Sequence, residues 1–164
     1  AMGAVDPRAV VHVGGRDLDP GEVSGFDEDG VRVVTCGAVR GGESSLRAAL
    51  AAAAPRAARA YVHVDIDVLD LGVAPGVDFP APGGLSVDDV VTATAAVAEV
   101  LPVAGVSVTA YDPERDRRDT TVATGIDLMG RLADVVAGSA GVGGRGVSPR
   151  APQPAADGEE RPRQ

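Results

Sequence analysis

The chain alternates short β-branched runs with longer segments whose apolar residues recur at helical spacing. This pattern predicts strands over residues 9–13, 31–36, 60–68 and 103–110, and helices over residues 45–54, 86–101 and 120–137. Because the strands alternate with the helices, the pattern predicts an α/β fold with a parallel sheet covered on both faces.

The helix over 86–101 has the clearest start signal. Ser86 and Asp89 form the S-x-x-D pattern of a capping box, and Leu85 can pack onto Val90 across the cap. The helix over 120–137 is predicted to carry apolar residues on one face and to end at Gly138. That face carries Val122, Ile126, Met129, Ala133 and Val136.

Length and composition favour one domain followed by a tail. The 164 residues have a mass of 16.4 kDa, which fits one domain of ordinary size. Aromatic residues make up only 2% of the chain, so the core is expected to consist of Val, Ala, Leu and Ile. The segment 139–164 is rich in Gly and Pro and lacks a hydrophobic period. We therefore predict a folded unit over 1–138 and a flexible tail over 139–164.

Net charge and residue usage limit the binding partners, the chemistry and the compartment that we expect. The net charge of −9 disfavours nonspecific binding to nucleic acid or to an anionic membrane, and no apolar run is long enough to span a bilayer. Every basic residue is Arg, which excludes chemistry that requires a lysine. The single cysteine, Cys36, suits a reducing compartment, so we expect a cytoplasmic protein. The Lys-free, Ala- and Arg-rich composition is typical of a high-GC bacterial source.

The chemically informative stretch is residues 61–70. If the strand over 60–68 is regular, its valines and Ile66 face one helix layer, whereas His63, Asp65 and Asp67 face the other way. Same-face carboxylates about 6.6 Å apart could converge on a cation, and oxygen ligands favour Mg²⁺, Mn²⁺ or Ca²⁺. The alternative is that Asp65 and Asp67 lie past the strand and pair with arginines or cap backbone amides.

The order of acidic residues, glycines and prolines after this strand resembles a motif of a known protein family. The run Asp-Ile-Asp-Val-Leu-Asp over 65–70, then Ala-Pro-Gly over 74–76 and Gly83-Gly84, resembles the third metal-binding motif of the ureohydrolase family of arginase, agmatinase and formimidoylglutamase. Weaker agreement extends over about residues 9–137. The resemblance implies a three-layer α/β/α fold with a mostly parallel sheet, truncated at its N-terminal side.

The resemblance also implies a site with two Mn²⁺ ions in the intact family. Asp65 and Asp67 would be metal ligands, with Asp70, His63, Gly76, Gly83 and Gly84 in supporting or loop positions. The substrate would be a small cationic guanidino compound, whose carbon is attacked by a metal-bridging hydroxide, and the protein would be a homo-oligomer.

This sequence departs from the family pattern in three places. The two earlier His- and Asp-containing metal motifs are absent, and no catalytic residue is identifiable in the chain. Ala110 stands where arginases place a substrate-reading Glu, which leaves Asp112 as a weak candidate for substrate binding. Leu71 replaces a Pro.

Three other interpretations stay open. His63 is expected to be a hydrogen-bonded structural histidine, and His12 and Cys36 plain strand residues. A non-catalytic remnant or binding module of the same fold is the main alternative function. A nucleotide-sugar transferase with a D-x-D motif is a further one, although the Ala-Pro-Gly and Gly-Gly continuation argues against it.

Overall fold

The computed structural model of the chain describes residues 5–42 and 44–140. Four strands are present in this part of the chain: β1 (Val11–Val13), β2 (Arg32–Val34), β3 (Ala60–Asp65) and β4 (Val103–Thr109). Five α-helices accompany them: α1 (Pro20–Asp29), α2 (Cys36–Arg40), α3 (Ser44–Ala53), α4 (Val87–Val100) and α5 (Thr120–Ala140). All four predicted strands and all three predicted helices are found, with shifted ends.

The strands pair in parallel, as their alternation with helices predicted. β1 pairs with β2, and β3 pairs with β4 in a register that aligns His63 with Ser107 and Asp65 with Thr109. Within the described residues the two pairs form separate two-stranded sheets rather than one continuous sheet. The helices α3 and α4 connect them through a shared apolar cluster.

The larger core cluster lies between β3 and the helices α4 and α5. Val64, Ile66, Leu128 and Leu132 are buried in it, and Val62 packs at its edge. The predicted inward face of β3 is therefore confirmed. Leu85 and Val90 are both buried in the same cluster, next to the predicted capping box, in which Ser86 and Asp89 bond reciprocally.

Two predicted strands are shorter because a 3-10 turn overlaps the start of one and a helix overlaps the end of the other. Pro7–Ala9 forms a 3-10 turn, so the first strand begins only at Val11. The prediction that Cys36 is a strand residue is wrong: β2 ends at Val34, and the Thr35 side chain caps α2 by accepting from the Ala38 amide. His12 does lie in β1.

Helix α1 has no counterpart among the predicted helices. Its apolar residues are too few to give a helical period, yet its start carries a complete local signal. Asp19 and Glu22 form a capping box, Pro20 occupies the first helical position, and Gly30 ends the helix with φ 74°. Capping chemistry, rather than hydrophobic periodicity, could have found this helix.

Helix α5 buries residues outside the apolar face that its sequence pattern marks. Leu128 and Leu132 are buried together with Thr121 and Ser139, whereas Ile126 and Met129 are 68% and 58% exposed. The predicted end at Gly138 is wrong, because the helix continues through Ala140 and so passes the predicted boundary at 138/139. The rest of the predicted tail, 141–164, lies outside the described residues. None of the described helices is long and apolar enough to cross a membrane.

Candidate metal-binding loop at the end of strand β3

The two predicted ligands lie at the carboxyl end of β3, where open parallel sheets place their sites. Asp65 is the last strand residue, and Asp67 lies in a 3-10 turn over Ile66–Val68. The predicted continuation of the strand to Val68 is therefore wrong. The reason is local: the Asp65 carboxylate accepts a hydrogen bond from the Asp67 amide at 3.1 Å, which ends the extended conformation.

The structure has features of both alternatives for Asp65 and Asp67, amide capping and neighbouring carboxylates. Asp65 does cap a backbone amide, but the two carboxylates still lie next to each other and both side chains are half-buried. Burial raises the pKa of Asp67, the negative charge of Asp65 raises it further, and the Arg16 guanidinium opposes both effects. Two half-buried carboxylates side by side are unfavourable when both are ionised. A cation bound between them would stabilise that ionised state.

Arg16 is the residue here that the sequence did not single out. Its guanidinium donates to the carbonyl oxygen of Val68 at 2.7 Å and also to that of Asp67. The loop that follows β1 is thereby tied to the turn that carries Asp67. Arg16 thus contacts the backbone of the turn and not the Asp67 carboxylate, which forms no salt bridge within the described residues.

Asp70 supports the turn that follows. Its carboxylate accepts from the Gly72 amide at 2.9 Å, and its carbonyl oxygen accepts from the Val73 and Ala74 amides.

His63 lies on the opposite side of β3 from the core. Its ring nitrogens are 3.0 Å from the Ser107 hydroxyl and 3.2 Å from the Thr109 hydroxyl, which fits the expected hydrogen-bonded structural histidine.

Gly84 lies against the backbone of Leu69. The Leu85 amide donates to the Val68 carbonyl at 2.8 Å, and the Asp70 amide donates to the Leu85 carbonyl at 2.9 Å, so the two chain segments form a parallel bridge. A Cβ on Gly84 would lie 2.3 Å from the Leu69 carbonyl carbon. Gly83, in contrast, has φ +78° and open space around it. The two adjacent positions thus favour glycine for different physical reasons: Gly84 because the Leu69 backbone is close, and Gly83 because its φ is positive.

Gly76 joins the loop after β3 to the loop after β4. Its amide donates to the Thr121 hydroxyl at 2.7 Å, and its carbonyl oxygen accepts from the Asp112 amide at 3.0 Å. A Cβ there would lie 2.6 Å from the Cβ of Asp116. Asp116 is itself buried and accepts from the Thr121 and Val122 amides at the start of α5. Burial alone would raise the pKa of Asp116, but these amide donors hold it below the usual range.

Asp112 is already engaged within its own loop. Its carboxylate accepts from the Glu114 amide at 2.8 Å and pairs with the Arg115 guanidinium at 2.8 Å. Ala110, two residues before it, has φ +65°. The role of Asp112 in substrate binding stays a prediction, since its oxygens have protein partners in this conformation.

The donor set for a metal is small. Within 5–42 and 44–140, no group of three or more His, Cys, Asp and Glu side chains is placed to hold an ion. Asp65 and Asp67 fit part of a hard-cation site by chemistry and by their position, but two carboxylates cannot complete two near-octahedral Mn²⁺ sites.

The comparisons with known proteins identify the chain's family. The sequence profile of the Arginase family matches residues 1–133. This chain belongs to the arginase family. It is 30% identical to the arginase of Bacillus caldovelox over 130 residues, which cover 78% of this chain and 44% of that protein. It is 35% identical to the proclavaminate amidinohydrolase of Streptomyces clavuligerus over 123 residues, 71% of this chain and 38% of that protein.

The solved structures of the family share the fold. The native Bacillus caldovelox arginase superposes with a TM-score of 0.68 at 31% identity, over 77% of this chain and 43% of that chain. The formimidoylglutamase of Bacillus subtilis superposes at 0.71 with 22% identity, over 79% of this chain and 42% of that chain, which supports the fold alone. The predicted arginase-like α/β fold is confirmed, and the chain spans less than half the length of these relatives.

Proposed function

We propose that this chain carries the third metal motif of a Mn²⁺-dependent, cytoplasmic ureohydrolase that cleaves guanidino or related C–N bonds. Asp65 and Asp67 would hold Mn²⁺, and Asp70 would keep the turn in shape. The observation that carries the proposal is the pair of half-buried carboxylates at the end of β3, in which Asp67 has a raised pKa. Membership of the arginase family supports hydrolase chemistry of this class.

When bound, the ions would lower the pKa of a water molecule and stabilise a tetrahedral intermediate. The chain's own residues have a positioning task. The hydrogen bond from the Asp67 amide to Asp65 fixes the turn, and Arg16 fixes it from the other side. The relatives' names point to arginine, formimidoylglutamate and amidino compounds, so we propose a small substrate with a guanidino or formimidoyl group. Association with a second copy stays a prediction at this point.

Isothermal titration with MnCl₂ tests the metal site. We expect the chain to bind Mn²⁺ and the variants Asp65→Ala and Asp67→Ala to lose that binding. The exposed acid Asp134, far along α5, offers a matched control: Asp134→Ala should bind Mn²⁺ as the unchanged chain does. The absence of binding at millimolar Mn²⁺, or equal binding by all variants, would favour the non-catalytic module instead.

A urea-release assay over arginine, agmatine and guanidino acids tests the reaction. Because the described residues supply only two candidate ligands, we expect no turnover by the chain on its own, even when Mn²⁺ binds. Turnover by the isolated chain would show that its ligand set is larger than Asp65 and Asp67, and would contradict this part of the proposal.

A further inference from the structure

A recess of about 350 Å³ lies between the loop after β3 and the loop after β4. Both loops leave the carboxyl ends of their strands, the edge at which open parallel sheets keep a crevice for small ligands. The residues that line the recess include three from the first loop and three arginines from the second: Leu71, Gly72, Pro75, Arg115, Arg117 and Arg118. A recess of ligand size is therefore lined by guanidinium groups, although the chain carries a net charge of −9.

Arg117 and Arg118 have no hydrogen-bond or ion-pair partner within residues 5–42 and 44–140. Eleven arginines lie in these ranges, and eight of them donate to a carboxylate or to a backbone carbonyl. Arg59, Arg117 and Arg118 are the remaining three, and two of these line the same recess. The positive charges of Arg117 and Arg118 repel each other, so an anion placed between them would lower the energy.

The carboxylates around the recess are engaged or exposed to solvent. Asp116 also lines the recess but is only 4% exposed, and its oxygens accept from the Thr121 and Val122 amides. These bonds occupy amides at the start of α5, so the recess draws its positive charge from the arginines and not from the helix terminus. Glu114 and Asp119 of the same loop are exposed and do not line the recess, so water and salt screen their charges.

Arg115 is held in place by two acids. Its Nε lies 3.1 Å from an Asp78 oxygen and 2.8 Å from an Asp112 oxygen. Because these acids balance the charge of Arg115, Arg117 and Arg118 supply the uncompensated charge of the recess. The pair of Arg115 with Asp78 also joins the two loops, since Asp78 belongs to the loop after β3.

Further bonds join the two walls, so the recess is formed before a ligand binds. The Gly76 amide donates to the Thr121 hydroxyl at 2.7 Å, and the Thr124 hydroxyl donates to the Val73 carbonyl oxygen at 2.7 Å. Thr120 also lines the recess and is half-buried, and its hydroxyl has no hydrogen bond to the described residues. This hydroxyl can donate to a ligand oxygen. A site with preformed walls loses less conformational freedom on binding.

We propose that this recess binds a small anion with a phosphoryl group, contacted by the Arg117 and Arg118 guanidiniums and by the Thr120 hydroxyl. A guanidinium presents its N–H groups as a fork that matches two phosphate oxygens. A phosphate with nearly two negative charges balances both arginines, whereas a carboxylate balances one. Neither Asp65 nor Asp67 lines the recess, so this site is separate from the proposed metal site and does not depend on it.

Isothermal titration of the whole chain with potassium phosphate, in a metal-free buffer of about 50 mM ionic strength, tests the site. We expect saturable binding with a dissociation constant of about 0.1 to 1 mM. Each of the single variants Arg117→Gln and Arg118→Gln should raise that constant at least about fivefold, because each loses a charge-assisted hydrogen bond. Arg59→Gln is the matched control: Arg59 is exposed, has no partner among the described residues and does not line the recess, so the constant should be unchanged. All three side chains are exposed, so circular dichroism should show folded variants.

A second titration, with glycerol 3-phosphate, distinguishes the source of the phosphoryl group. Equal or tighter binding of glycerol 3-phosphate indicates a phosphorylated small molecule, whereas binding of inorganic phosphate alone indicates the free ion, and either result supports the proposal. The absence of saturable binding up to about 10 mM phosphate would overturn it and would favour an acidic side chain of a longer chain as the partner of these arginines. Equal weakening by Arg59→Gln, or binding that survives in both recess variants, would also overturn it, because the phosphate would then respond only to the general surface charge or bind elsewhere.

Discussion

Replacing Gly84 by alanine is expected to destabilise the chain far more than the same replacement at its neighbour Gly83. A Cβ at residue 84 would lie 2.3 Å from the carbonyl carbon and oxygen of Leu69, whereas ordinary contact begins at 3.4 Å. The two segments must therefore separate by about 1 Å. Since Leu69 and Leu85 are buried, the strain falls inside the core.

That separation breaks the bridge between the segments. The bonds from Leu85 to Val68 and from Asp70 to Leu85, at 2.8 and 2.9 Å, would lengthen beyond hydrogen-bonding distance. Each lost bond costs about 1 kcal/mol, and a buried group left without a partner costs more. With the overpacking itself, we expect the free energy of unfolding to fall by about 3 to 5 kcal/mol. Gly83→Ala meets no atom and pays only for φ +78°, about 1 to 2 kcal/mol.

Urea unfolding followed by far-ultraviolet circular dichroism measures both variants. We expect the midpoint of Gly84→Ala to fall by about 1 M or more, with an m-value like that of the unchanged chain. A Gly84→Ala variant within about 1 kcal/mol of the unchanged chain, or more stable than Gly83→Ala, would refute the reasoning. It would mean that the segment carrying Asp70 can move away from Leu85 at little cost.

Three further predictions concern α5 and the acidic groups. Leu128→Ala should lower the free energy of unfolding by about 2 to 5 kcal/mol, because Leu128 is buried. Ile126→Ala should lower it by about 0.5 kcal/mol or less in dilute solution, because Ile126 is exposed. Equal losses for the two variants in urea titrations would contradict the observed buried face. Asp67→Asn should stabilise the chain near pH 7, because its folded pKa is raised, and the gain should disappear as the pH falls to about 4. Asp116→Asn should destabilise it near pH 7, because its folded pKa is lowered, and this loss should shrink as the pH falls below about 4. Thermal unfolding across pH 3 to 8 checks both carboxyl variants, and effects of the same sign would be inconsistent with the opposite pKa shifts.

Local sequence signals determined much of the fold. The capping box at Ser86 and Asp89 is a contact between residues three apart, so it needs no tertiary information. The inward face of β3 followed from strict alternation. The order of acids, glycines and prolines from Asp65 to Gly84 was enough to indicate the arginase family, which the comparison of residues 1–133 shows.

Tertiary contacts decided what periodicity left open. Helix α5 has apolar residues on more than one side, so its sequence alone could not select the face with Leu128 and Leu132 over the face with Ile126 and Met129. Packing against α4 and β4 made that choice.

The candidate site shows the same division between local and distant contacts. The sequence placed Asp65 and Asp67 together, because they are two residues apart. Only the fold showed that Arg16, 51 residues away from Asp67, secures the turn, and that Gly84 is required by the backbone of Leu69. Contacts between distant segments depend on how the strands and helices pack, which no local pattern of residues contains.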